Sequence, residues 1–137
     1  MEFKIFKVSK NIGGFYYIIY SDINKNGAIS KEETLKDPLT NNYIYSYQCK
    51  KDSLYDKTKF VLLTKEYGIT NINVSCNDTT TIGQLSFGLD GNVFTKLSTH
   101  DNDSEAYKLN EVCEIVLKDK EDNQEIIKIY PYTGFIE

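Results

Sequence analysis

Apolar and polar residues alternate along most of this chain with a period of two, the spacing at which side chains share one face of a β-strand. The densest run is Gly14–Ser21, written GFYYIIYS, which is rich in the aromatic and β-branched residues that favour strands. The pattern predicts roughly eight strands. They are expected in eight segments, 3–8, 14–21, 42–49, 59–64, 69–76, the hairpin 84–95, 112–118 and 125–130.

Helical periodicity is nearly absent from the sequence. At most one short helix is expected, over Lys31–Lys36, where Pro38 would end it. The dipeptide Asp90-Gly91 lies between two alternating runs, which predicts a tight type I′ turn in a hairpin. Strands joined by short connections, without long helices between them, pair in antiparallel sheets. We therefore expect a mainly β fold in which the 137 residues form one domain, 1–137.

Charge narrows the classes of partner. The net charge is −4, the isoelectric point is about 5.1, and basic residues are spread along the chain. Such a chain has no general attraction for nucleic acids or anionic membranes, so strong nucleic-acid binding is not expected. The sequence also contains no run of about 20 apolar residues, the length of a membrane-spanning helix.

Three cysteines are present, Cys49, Cys76 and Cys113, and the one histidine, His100, is far from all of them in sequence. No cysteine pair has the close spacing of zinc ligands, which argues against a zinc site. In a reducing compartment the cysteines would be plain buried residues. In an oxidising compartment any two of the three could form a disulfide, and spacing does not choose among the pairs.

The stretch from Asp22 to Glu33, DINKNGAISKEE, has the spacing of a twelve-residue calcium loop. Oxygen ligands would come from the side chains of Asp22, Asn24, Asn26, Ser30 and Glu33 and from the carbonyl of Ala28. Only two of these groups are charged, so calcium affinity would be modest. The alternative is an Asn- and Gly-rich turn between strands, because the loop is entered from a strand, whereas a calcium-binding EF-hand is entered from a helix.

Catalytic signals are weak. His100 lies in a polar stretch, no common hydrolase motif is present, and Gly13-Gly14 lacks the Lys and Ser/Thr of a phosphate-binding loop. Neither Cys76 nor Cys113 has a base near it in sequence that would activate a nucleophile. A row of tyrosines at 43, 45 and 47 could stack on bases or sugars, although such rows are more often half-buried sheet surface.

Four segments of the sequence follow one another in an order that is typical of a known protein family. They are the aromatic strand and its loop (FYYIIYSDINKNGAISKEE), the predicted hairpin (LSFGLDGNVF), a cysteine-bearing strand (VCEIVLKD) and a closing strand with Thr-Gly (IIKIYPYTGFI). Together, from about Gly14 to Ile136, they resemble the GspH/FimT family of minor pseudopilins. In that family the loop joins two strands of the globular domain, which favours a plain turn over a calcium site.

The resemblance implies an α+β, pilin-like fold and a scaffold function without enzymatic activity. Such a protein is a structural subunit at or near the tip of a periplasmic pseudopilus, in a type II secretion system, a type IV pilus or a DNA-uptake system. Its partners would be other major and minor pseudopilins and the inner-membrane assembly platform. No cofactor is required in this reading, and Ca²⁺ is an optional ligand.

Family members begin with a basic leader and a long apolar helix, which nothing in this sequence matches. We expect that helix to precede residue 1 in the native protein and to anchor it in the inner membrane before assembly. The implied compartment, the periplasm, is oxidising, so a disulfide is expected, and Cys76 with Cys113 is the chosen pair. The competing hypothesis is a calcium-dependent extracellular adhesion or carbohydrate-binding module that uses the Asp22–Glu33 loop.

Overall fold

The structure is a computed structural model that describes residues 2–7, 14–26, 28–45, 62–77, 84–88, 90–96 and 104–137. Gly13, Tyr47, Cys49 and His100 lie outside these residues, and so does Gly27 of the Asp22–Glu33 loop. Of the predicted strand segments, residues 8, 46–49, 59–61 and 89 also lie outside them. Within the described part, the predicted mainly β fold with antiparallel sheets is confirmed.

The first sheet has the strand order β2-β1-β4-β5. Its members are β1 (Glu2–Lys7), β2 (Phe15–Tyr20), β4 (Gln84–Phe87) and β5 (Val93–Phe94). The second sheet has the order β3-β6-β7, with β3 (Ile69–Ser75), β6 (Cys113–Asp119) and β7 (Gln124–Ile129). Every neighbouring pair is antiparallel.

The main core joins the two sheets. Phe15, Leu85 and Val93 of the first sheet belong to the same buried cluster as side chains of the second sheet and of the connections. Those others are Ile72, Val74, Cys76, Leu109, Cys113, Ile115 and Ile129. The predicted alternation is confirmed over residues 71–76, where Ile72, Val74 and Cys76 are buried and the polar residues between them are exposed. A register irregularity between Ile69 and Asn71 precedes this stretch, so that Ile69 packs against the core and Thr70 is exposed.

Strand β2 is also buried on its opposite face. Tyr16, Ile18 and Tyr20 form a second cluster with Ile44 and Leu62. A strand covered on both sides reads as a continuous apolar run, which is why GFYYIIYS shows so few polar positions.

Short extended segments cover three outer sheet edges. The amide of Leu35 donates to the Ile19 carbonyl beside β2, and the amide of Leu109 donates to the Val93 carbonyl beside β5. Along β7, Lys128 and Glu137 exchange two backbone hydrogen bonds of 2.9 Å. Covered edges are protected from pairing with other chains.

Two helices lie where none was predicted. Helix α1 (Leu63–Tyr67) overlaps the predicted strand 59–64, so that part of the prediction is wrong. Leu, Lys and Glu are good helix formers, and Gly68 ends the helix in the left-handed conformation with φ of 71°. Helix α2 (Ser104–Tyr107) overlaps a stretch expected to be loop.

Three local predictions need correction. The amide of Gly88 donates to the Asn92 carbonyl, so the hairpin loop has three residues and not the two of a type I′ turn, with Gly91 at φ of 82°. The predicted strand 42–49 is, over residues 42–45, only a single bridge between Tyr43 and Lys36. The helix expected over Lys31–Lys36 is one 3-10 turn, Lys31–Glu33.

Candidate functional site

The Asp22–Glu33 loop connects β2 to the segment that covers its edge. The amide of Ser21 donates to the Glu33 carbonyl at 2.9 Å, which closes the loop as a connection between two antiparallel segments. Tyr20 and Thr34 form the bridge next to it. The loop therefore joins two extended segments, as the strand-entered interpretation expects, and it is not flanked by two helices.

Side-chain oxygens organise the first half of the loop. The amide of Asn26 donates to Oδ1 of Asp22 at 3.1 Å and to Oδ1 of Asn24 at 3.0 Å. Oδ1 of Asn26 in turn accepts the amide of Ala28 at 2.8 Å. Asn and Asp commonly stabilise tight turns through such bonds to their own backbone. Lys25 takes the left-handed conformation there, with φ of 55°.

Glu33 holds the two ends of the loop together. Its Oε1 accepts the amides of Ile23 at 3.0 Å and Asn24 at 3.2 Å. Its Oε2 accepts the amide of Ser30 at 3.1 Å and the Ser30 hydroxyl at 2.6 Å. Glu33 is only 7% exposed, and these four donors compensate the burial of its charge.

The same contacts set the charge state of this carboxyl. Hydrogen bonds hold the pKa of Glu33 below its ordinary value of 4.5. The Ser30 hydroxyl has the largest effect, the Asn24 amide comes next, and the Ser30 and Ile23 amides contribute less. Partial burial acts in the opposite direction and is outweighed. The loop thus contains an ionised carboxylate that is already satisfied by the protein itself.

The structure places the predicted calcium ligands in one hydrogen-bonded loop. Asp22, Asn24, Asn26, Ser30 and Glu33 all take part in the contacts described above, and Ala28 contributes its amide. Over the described residues, no three His, Cys, Asp or Glu side chains cluster as metal ligands. Calcium binding by this loop stays a prediction.

Replacing Glu33 with Gln should lower the melting temperature at neutral pH by a few degrees and make it less sensitive to acid. Because its folded-state pKa lies below 4.5, ionised Glu33 stabilises the fold above that pH, and the contribution is lost as the pH falls through the lowered pKa. The wild type and the variant should therefore converge in acid. Thermal melts from about pH 7 to about pH 3 check this.

The matched control for that experiment is Glu32→Gln, which changes an exposed carboxylate in the same 3-10 turn. The melting temperature of Glu32→Gln should fall with decreasing pH nearly as much as that of the wild type. If Glu33→Gln melts show the same slope against pH as the wild type, the role of this carboxylate in closing the loop is wrong.

Cys76 and Cys113 form a disulfide, which is the pair expected from the sequence. Their Cα atoms are 4.4 Å apart, and both residues are buried in the main core. Cys76 directly follows β3 and Cys113 begins β6, the strand that pairs with β3. The bond therefore links two neighbouring strands of the second sheet at one end.

An apolar groove of about 540 Å³ opens between the two sheets, and we call it the sheet groove. Its walls come from Tyr17 and Ile19 of β2, Phe87 of β4, and Ile115 and Leu117 of β6. Leu63 of α1, Ile127 and Ile129 of β7, and Gly134 and Ile136 near the C-terminus complete it. Nearly every lining side chain is aliphatic or aromatic, so the groove is suited to an apolar occupant.

One polar group lies among these walls. Burial, and secondarily the nearby Tyr67, raises the pKa of the Tyr17 hydroxyl above its ordinary value of 10.0. Tyr17 is therefore a neutral phenol at physiological pH, and it contributes no charge to the groove.

The closing Thr-Gly motif has a structural role at the same groove. Gly134 has φ of 63°, and a Cβ at this position would lie 3.3 Å from Cδ1 of Phe87 and 3.6 Å from the Gly91 carbonyl. Glycine therefore lets the C-terminal segment turn closely against the hairpin of β4 and β5. The Thr-Gly motif is visible in the sequence, but this contact with Phe87 and Gly91 is not.

The sheet groove itself was missed at the sequence level. Alternation places Leu117 and Ile127 on the core-facing sides of their strands, but it does not show how far apart the two sheets lie. The described part of the tyrosine row agrees with the half-buried interpretation, since Tyr43 and Tyr45 are half-buried and Ile44 between them is buried. Around Tyr43, the Nζ atoms of Lys36 and Lys31 lie 4.7 Å and 5.8 Å from the ring centroid.

Within the described residues, no helix is both long enough and apolar enough to cross a membrane. Comparisons with known proteins give no match: no family model, curated protein or solved structure is significantly similar to this chain.

Proposed function

We propose that this chain is the globular domain of a minor pseudopilin of the GspH/FimT type, a non-enzymatic subunit at or near the tip of a periplasmic pseudopilus. The sheet groove carries the proposal, because its aliphatic and aromatic walls would accept the apolar side chains of a helix. The native protein is then a periplasmic scaffold, held in the inner membrane before assembly and joined to other pseudopilins afterwards.

Burial energetics support this use of the groove. Apolar surface left in water costs free energy in proportion to its area, and large contiguous apolar patches on soluble domains usually mark interaction sites. A helix that inserts aliphatic side chains between Ile19 of β2 and Leu117 of β6 would remove that cost. Ile136, which is 55% exposed, would be covered as well.

The disulfide supports the proposed compartment. Disulfides persist in oxidising environments such as the bacterial periplasm and are rare in the cytosol. Cys76 and Cys113 are bonded inside the main core, so the bond belongs to the stable fold and not to an exposed redox centre. A periplasmic location meets this requirement.

The proposal is tested first by reading the native gene upstream of residue 1. We expect a basic leader followed by about 20 apolar residues in the same reading frame. The full-length protein is then tagged in its own host, cross-linked in membranes and purified, and its partners are identified by mass spectrometry. We expect other proteins with the same kind of leader and apolar helix.

A variant of the sheet groove tests whether the groove is what holds these partners. Ile136→Glu places a carboxylate in the sheet groove, and burying an unpaired charge there should reduce recovery of the partners by about tenfold. Leu39→Glu is the control, because Leu39 is an apolar residue with 79% exposure that does not line the groove. An upstream region without an apolar helix, or equal recovery with both variants, would remove the support for a pseudopilin.

A calcium titration separates this proposal from the adhesion-module hypothesis. Because both carboxylate oxygens of Glu33 already accept hydrogen bonds from the loop, we expect no saturable rise in melting temperature with millimolar calcium chloride. Magnesium chloride at the same ionic strength is the control. A rise that is specific for calcium and abolished by Glu33→Gln would favour the adhesion module.

A further inference from the structure

A polar cleft of about 670 Å³ lies on the outer face of the second sheet, away from the main core. We call it the amide cleft, because Asn71 and Asn73 of β3 and Gln124 of β7 line it together with Lys118 of β6. Exposure to solvent accounts for polar residues on this face, but it does not account for the choice of amides.

The strand register arranges these side chains in rows. Asn71 pairs with Lys118, and Lys118 pairs with Gln124, so one row across the sheet reads amide, amine, amide. In the next row Asn73 pairs with Val116, and Val116 pairs with Ile126. Ile126 is 44% exposed. A polar row thus lies beside a small apolar platform.

Local propensity does not account for the two asparagines. Asn is depleted in β-strands, and two of them at alternate positions on the exposed face of β3 weaken that strand. Among the described residues, the side-chain amides of Asn71, Asn73 and Gln124 make no hydrogen bond, and the ammonium group of Lys118 makes no ion pair. Departures from local preference are expected where a surface has a binding role.

We propose that the amide cleft binds a neutral glycan chain. Each amide offers both a donor and an acceptor, the combination that sugar hydroxyl groups require. The platform of Val116 and Ile126 suits the apolar C–H face of a pyranose ring, as apolar lining with a few placed polar groups does in other ligand sites.

Charge at the cleft argues against a polyanionic ligand. Lys118 is next to Asp119 in sequence, and both Asp119 and Asp122 line the cleft, so positive and negative groups are mixed. A polyanion such as a nucleic acid needs a basic surface, which this cleft lacks. This inference concerns a different surface from the sheet groove and is independent of the pseudopilin proposal.

The test is a nuclear magnetic resonance titration of the isotope-labelled domain with chitotetraose and, separately, cellotetraose at millimolar concentrations. We expect saturable shifts of the side-chain amide signals of Asn71, Asn73 and Gln124 with at least one of the two sugars. Asn73→Thr should weaken binding by about tenfold, because the shorter side chain keeps one hydroxyl and loses the carbonyl acceptor and the two N–H donors of the amide. The matched control, Ser75→Thr, lies two positions along the same face and outside the cleft.

Stability distinguishes a binding role from a structural one. Thr is favoured in strands, so Asn73→Thr should melt at the same temperature as the wild type or higher while it loses affinity. The inference is overturned if neither sugar shifts these signals, or if Asn73→Thr and Ser75→Thr bind equally well. An extended peptide that shifts the same signals more strongly than either sugar would overturn it in favour of a peptide site.

Discussion

Replacing both bridged cysteines, Cys76→Ala together with Cys113→Ala, is expected to lower the free energy of unfolding by about 3–4 kcal/mol. The bond closes a loop over a sequence separation of 37 residues, and a crosslink of that length restricts the unfolded chain substantially. Since stable domains have a net stability of about 5–15 kcal/mol, this loss is a large fraction of the total.

Urea denaturation of the double variant and the wild type, with and without a reducing agent, measures the effect. The wild type under reducing conditions should approach the double variant, while the double variant should not respond to the reductant. Cys49→Ser is the control, because it leaves the Cys76–Cys113 bond intact. A wild type whose unfolding midpoint is unchanged by full reduction would contradict the expectation.

The strands were predictable because their signal is local. In β3, Ile72 and Val74 alternate with Asn71 and Asn73, and the burial of each follows from its position on the pleated strand. Runs such as GFYYIIYS needed no knowledge of the partner strand. The antiparallel arrangement followed from short connections between strands, and each observed pair has it.

Helix α1 was not predictable in the same way. The run KFVLLT is apolar throughout, and a short apolar run fits a buried strand as well as a helix. Whether this run forms a strand or a helix depends on tertiary contacts, such as the 2.7 Å hydrogen bond from the amide of Phe15 to the Thr64 hydroxyl. That contact links β2 to a residue 49 positions away in the chain.

The candidate sites differ in the same way: features that depend on local sequence were predictable, and features that depend on tertiary structure were not. The Asp22–Glu33 loop was visible as a spacing pattern, because turn chemistry depends on residues close in sequence. Its entry from a strand was assigned correctly, whereas the helix expected at its exit is a single 3-10 turn. The network centred on Glu33 was not foreseen, since the pattern that suggests a metal ligand equally serves a carboxylate that binds backbone amides. The sheet groove and the amide cleft depend on register and on sheet separation, which one sequence does not specify.

Leu109 is the clearest core residue that alternation did not identify, and Leu109→Ala should lower the free energy of unfolding by about 2–5 kcal/mol. Its side chain is fully buried in the main core, and its amide donates to the Val93 carbonyl at 2.7 Å. It lies after helix α2, on the segment that covers the edge of β5. Truncation therefore leaves a cavity where a connection is held against a two-residue strand.

The effect should be local as well as global, which gives the prediction a second measurement. Amides that tie the covering segment to β5, those of Leu109 and Thr95, should exchange with solvent faster in the variant than amides of β6. Val112→Ala is the matched control, because Val112 lies three residues further along the same connection, is 39% exposed and should cost less than about 0.5 kcal/mol. Equal destabilisation by Leu109→Ala and Val112→Ala would mean that the connection packs on the surface of the second sheet and does not belong to the core. The protected edge of β5 would then need another explanation.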